Sequence, residues 1–204
     1  MIPMPLRRHW LLSAALATAP AAAPAVAPAA AAQSSNPFIK TVRDSFRLHW
    51  VDTKEYTLSM LDAMPADGFG FKAHSSQRAF GDQLAHLAWA NVAYFRAFGN
   101  VGAKDTLPKT YTEVRQQYPL EDRDAVRKFV VSAFDYTLDV LDRLTDKDLM
   151  RTDIKPFPNT PPHSALDMLF RAYMHTAHHR GQVVTYLRVK GLVPPAWKFE
   201  PHAG

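Results

Sequence analysis

The chain has 204 residues, with 24 lysines and arginines against 19 acids, 16 prolines, nine histidines and no cysteine. A chain of this length can bury a hydrophobic core without cross-links, and 47% apolar with 21% charged residues excludes wholesale disorder. Without cysteine there is no disulfide, thiolate ligand, cysteine nucleophile or lipid anchor on cysteine, so any chemistry runs on nitrogen and oxygen.

Residues 1–32 contain Arg7 and Arg8 and no acid, so they inflate the formal charge of +5. The rest lacks the Lys/Arg runs of nucleic-acid-binding tails, and nucleic acid is not an expected partner. The same segment predicts a secretory signal. Arg7-Arg8 form a positive n-region, Trp10-Leu11-Leu12 opens an apolar stretch, and Ala30-Ala31-Ala32 places small residues before a cleavage point at Gln33. Residues 10–32 have the length of a membrane span, but Pro20, Pro24 and Pro28 interrupt them. Cleavage is therefore expected, with no stable membrane insertion afterwards. The arginine pair fits a twin-arginine signal as well as ordinary secretion. The expected product is a periplasmic domain, 33–204.

Asn36-Pro37 suits an N-cap followed by the first helical position. Apolar residues then recur with helical period at Phe38, Val42, Phe46, Trp50, Tyr56, Leu58 and Leu61, up to Met64, where Pro65 and Gly68 stop the pattern. After a loop over 66–75, a second helix is predicted from around Ser76 to Gly99-Asn100. A polar stretch with Pro108 and Pro119 follows, in which 110–118 fits a short extra helix. The third long helix is predicted over about 120–144, with Val126, Phe129, Val130, Ala133, Phe134, Tyr136, Leu138 and Leu141 facing inward. Pro156, Pro158, Pro161 and Pro162 forbid regular structure. The fourth helix is predicted over 164–190, ended by Gly191 and Pro194-Pro195. No segment alternates like a strand. The prediction is all-α, an antiparallel four-helix bundle. If Trp50 and Trp89 lie on its outer face, they mark a homodimer contact.

The candidates for chemistry are histidines. His175 and His179 stand at i and i+4, one above the other on the fourth helix, in a stripe with Met168, Ala172, Gln182 and Tyr186. The neighbouring stripe of Leu166, Phe170, Tyr173, Ala177, Val184 and Leu187 is the expected core face, which leaves the two histidines at its edge. His178 is turned about 100° from His179. The pair matches a metal-binding spacing but not a zinc protease, because Thr176 stands where that motif needs a glutamate. Spacing alone equally fits one hydrogen-bonded core histidine and one solvated histidine. His86 is the natural third ligand, in a stripe of small residues (Ala79, Gln83, Ala90, Ala93, Ala97) that leaves room around an imidazole. Asp82, one turn earlier, and Gln182 are candidates to orient the ligands, although a solvated surface role also suits Asp82. His49, His74, His163 and His202 lack such spacing and are expected in loops or at the surface. No nucleophile elbow or phosphate-cradling loop appears.

Phe80-x-x-x-Leu84-Ala85-His86-Leu87-Ala88, then His175-x-x-x-His179-Arg180-Gly181-Gln182, Tyr186-Leu187-Arg188 and Gly191-Leu192-Val193-Pro194-Pro195 together resemble the DinB-like (YfiT-like) superfamily of bacterial metal-binding four-helix bundles. The resemblance spans about 38–195. It implies an up-down-down-up bundle with a long crossover connection, often a homodimer, and one divalent transition metal (zinc, nickel or iron) on His86, His175 and His179. Known members of that superfamily include transferases that use a low-molecular-weight thiol. The resemblance thus implies a metal-dependent enzyme of thiol S-transferase or hydrolase type acting on an unidentified small molecule. The alternative is a non-catalytic metal- or ligand-binding protein of the cell envelope.

Overall fold

The structure is a computed structural model that describes residues 36–99 and 101–197; the expected signal segment 1–32, Asn100 and His202 lie outside them. Asn36 caps the first helix, α1 (Pro37–Asp62), by accepting from the Phe38 amide at 2.9 Å. This satisfies an amide that would otherwise lack a partner, while Pro37 occupies the first turn. The second helix, α2 (Phe80–Arg96), starts later than its apolar pattern suggests. The amides of Phe80 and Gly81 are already taken by the carbonyls of Phe71 and Phe69, both at 2.9 Å, because the loop folds back on them. Gly81 is required there: a Cβ would stand 1.9 Å from the Leu120 carbonyl oxygen.

A short helix, α3 (Tyr111–Gln117), forms within the predicted 110–118 segment. The third long helix, α4 (Arg123–Arg143), begins where the Asp122 carboxylate accepts from the Ala125 amide at 2.8 Å. A single turn, α5 (Asp146–Leu149), was not expected; Thr145 and Asp148 close a reciprocal capping box around it. The last helix, α6 (Ala165–Val189), is capped by Ser164 and followed by Gly191 at φ +74°, a conformation in which a Cβ is disfavoured. Among the described residues, β-structure amounts to one antiparallel bridge between Ile154 and His163. No helix among them is long and apolar enough to cross a membrane.

Cross-helix pairs fix the topology. Arg47–Asp142, Trp50–Thr137 and Lys54–Asp135 make α1 and α4 antiparallel. Gln83–His179 and Asn91–Thr176 do the same for α2 and α6. Phe46–Phe170 and Tyr56–Arg180 ascend together, so α1 and α6 are parallel. The order is up-down-down-up, with the long connection carrying α3 from the end of α2 back to the start of α4.

Two expectations about faces are corrected. Trp50 is not on an outer face: it is 1% exposed, packs on Phe95 and Phe134, and donates its indole N–H to Thr137 Oγ1 at 2.7 Å. Trp89 is half-buried beside His86 and Tyr111. Trp50 and Trp89 therefore give no outward apolar patch. On α6, the expected core stripe is rotated: Leu166 is 37% and Phe170 48% exposed. The buried face instead runs through Ala165, Met168, Leu169, Ala172, Thr176, Arg180, Val183, Tyr186 and Leu187, so that Leu187 alone of the expected stripe is buried. Two polar residues sit in it, and Thr176 is accommodated by bonds to Asn91 Oδ1 and the Ala172 carbonyl at 2.9 and 2.8 Å.

Candidate metal centre

Antiparallel packing of α2 on α6 brings His86 level with His175 and His179. The Nε2 atoms of His175 and His179 are 3.0 Å apart. The His86 ring lies 5.4 Å from His175 and 4.8 Å from His179, centroid to centroid. One nitrogen from each ring falls within 4.8 Å of the other two, and the trio forms a group that can hold a metal ion.

The electrostatics suit a cation. Burial lowers the pKa of each of the three imidazoles from 6.5 to about 4. Arg78 adds to the shift at His86, and neighbouring histidines add to it at all three. At neutral pH the rings are therefore uncharged, each with a lone pair to offer. Two donors about 2.1 Å from one ion and at tetrahedral or right angles stand roughly 3.0–3.4 Å apart, which is the separation of the α6 pair. The Nδ1 atoms of His86 and His175 are buried without a hydrogen-bond partner. The residues fit a nitrogen-ligated divalent transition metal.

Orientation of the ligands comes from two glutamines. His179 Nδ1 is 3.0 Å from Gln182 Oε1 and 2.5 Å from the side-chain nitrogen of Gln83, and the two amides also bond to each other. An N–H at Nδ1 donated to the Gln182 oxygen leaves the Nε2 lone pair facing the other rings, and the Gln83 amide, which donates to that same oxygen, acts through Gln182. Gln182 thus has the expected place. Gln83 was missed as a partner, although it lies three residues before His86 in the same stripe.

Asp82 does not orient an imidazole. Its carboxylate accepts from the Tyr111 hydroxyl, from Arg115 at 2.6 Å and from Arg78 at 3.4 Å. These bonds pin α3 against α2 and set the Tyr111 ring edge-on to His86 at 5.5 Å. Trp89 and, next to His175, Tyr94 complete an aromatic wall. His178 is exposed, with Nε2 3.2 Å from the Gln182 amide nitrogen. His49 and His74 are exposed, and His163 pairs with Asp167 at 2.7 Å; none of them joins the trio.

Residues 49–183 match the DinB superfamily, a span that includes all three histidines. A crystal structure of a DinB-like protein from Bacillus cereus superposes with a TM-score of 0.58, covering 76% of this chain and 97% of that one at 21% identity. That likeness is one of fold. No curated protein matches the chain.

Proposed function

Because the chain belongs to the DinB superfamily, we propose that it is a divalent-metal-binding protein whose His86, His175 and His179 hold one transition metal ion, zinc, nickel or iron, and that it works as a metal-dependent enzyme of thiol S-transferase or hydrolase type. The observation that carries this reading is the convergence of three neutral imidazoles, one nitrogen from each within 4.8 Å of the others. Bound there, such an ion supplies Lewis acidity to a small molecule at its open positions. The chain does the rest. Gln182 and Gln83 fix the His179 ring, Tyr111 and Trp89 wall off His86, and Tyr94 covers His175.

Elemental analysis of protein from its native host tests the first half; about one ion per chain is expected, and none overturns it. Consumption of a low-molecular-weight thiol with a small electrophile tests the second. One observation favours a non-catalytic metal- or ligand-binding protein instead: Asp82, one turn from His86, is occupied by Tyr111, Arg78 and Arg115 and is not free as a base. Full metal content without turnover selects that alternative. Export belongs to the same proposal, and an intact mass beginning at Gln33 checks it. A homodimer belongs to it too and rests on exposed Phe38, Leu166 and Phe170 rather than on Trp50 and Trp89; a monomer by light scattering at micromolar concentration removes it.

A further inference from the structure

On the opposite edge of the buried face of α6 from the histidines, α1, α6 and residues 195–197 border a half-open cavity of about 600 Å³, a volume typical of small-molecule sites. Arg180 lines it and is only 7% exposed. Its guanidinium lies over the Tyr56 ring at 5.3 Å, with Tyr173 lining the same space. Arg180 makes no ion pair with any described residue, and its Nε–H is buried without a partner.

A buried guanidinium cannot shed its proton as an imidazole does, so burying it without an anion is costly. The guanidinium lines a space walled by Tyr56, Tyr173 and Trp197, although its Nε–H is shut off from that space. Planar guanidinium donors match a carboxylate best, two bonds side by side. Asp52 and Glu55 also line the cavity, and their charges oppose a dianion such as phosphate more strongly than a monoanion. We propose that this cavity binds a small organic monocarboxylate with an aromatic or apolar body, its carboxylate held by Arg180 and its body between the aromatic walls. The site is separate from the histidine trio and does not depend on metal there.

Calorimetric titration of the full-length, metal-loaded protein with benzoate, benzyl alcohol and inorganic phosphate tests it. Saturable binding of benzoate at one per chain is expected, with benzyl alcohol and phosphate far weaker. Arg180→Met should keep the fold and raise the benzoate Kd about thirty-fold or more. Ser59→Phe, which fills the cavity from the α1 wall, should do likewise with Arg180 in place. His175→Ala should retain benzoate binding, which separates this site from carboxylate ligation at the metal centre. No benzoate binding, or benzyl alcohol or phosphate binding as tightly, overturns the proposal. So does wild-type benzoate affinity in Arg180→Met; should that variant not fold, wild-type affinity in Ser59→Phe has the same force.

Discussion

Helix α6 carries polar residues into the bundle along two edges, and the edges solve the same problem differently. Toward α2, His175 and His179 lose their charge: burial brings their pKa to about 4, and the neutral rings need no counter-ion. Toward α1, Arg180 keeps its charge, lies over Tyr56 and borders an open space. A group that can deprotonate is buried by changing state, and one that cannot is buried only with a partner or a place for one. The first edge is thereby suited to a cation and the second to an anion.

The comparison breaks if the two edges prove coupled. The largest effect belongs to the ligands: His86→Ala, His175→Ala and His179→Ala should each lower metal affinity by about a hundredfold or more, since each removes a direct donor. His178→Ala and Arg180→Met should leave metal stoichiometry unchanged, as measured by elemental analysis after circular dichroism has confirmed helicity. Equal metal loss in all five removes the distinction between edges. Next in size, Gln182→Leu and Gln83→Leu should weaken metal binding about ten- to a hundredfold by freeing the His179 ring.

A smaller effect sharpens the contrast in protonation. With metal chelated, the unfolded chain binds protons at the three histidines below about pH 6.5, whereas the folded chain does so only near pH 4. Stability is therefore full above 6.5 and declines as pH falls toward 4. Allowing for solvent screening of half-exposed rings, the loss is on the order of 1 kcal/mol per ring. Denaturant midpoints across this window check it; the slope should shrink in the triple alanine variant and persist in Arg180→Met. Smallest is Gly181→Ala, on the outer face between the edges. Nothing lies within 4 Å of a Cβ there, so it should stabilise by about 0.5–1 kcal/mol in thermal unfolding without altering either site.

Much of this was legible in the sequence. Helical period, caps and prolines marked the four long helices, and the i,i+4 pair with His86 marked the trio. What escaped was rotation about each helix axis. On α6, Leu166 and Phe170 are as apolar as core residues, while Thr176 and Arg180 hide in the core because of Asn91 and Tyr56, residues far off in the chain. Hydropathy ranks single side chains and does not see such partners. The same holds for Trp50, whose place depends on Thr137, 87 residues away, and for Asp82, whose role depends on how α3 docks.

All three imidazoles come from two helices, joined through pairs such as Gln83 and His179, which are 96 residues apart in the chain. An ion held there acts as a removable cross-link in a protein with no cysteine to make a permanent one. By mass action, each tenfold rise in free metal above its Kd adds about 1.4 kcal/mol of stability. On the metal-binding reading, the lifetime of the folded protein follows the metal supply of its compartment. Starvation for the ion would then clear the protein by unfolding it as well as by silencing its chemistry.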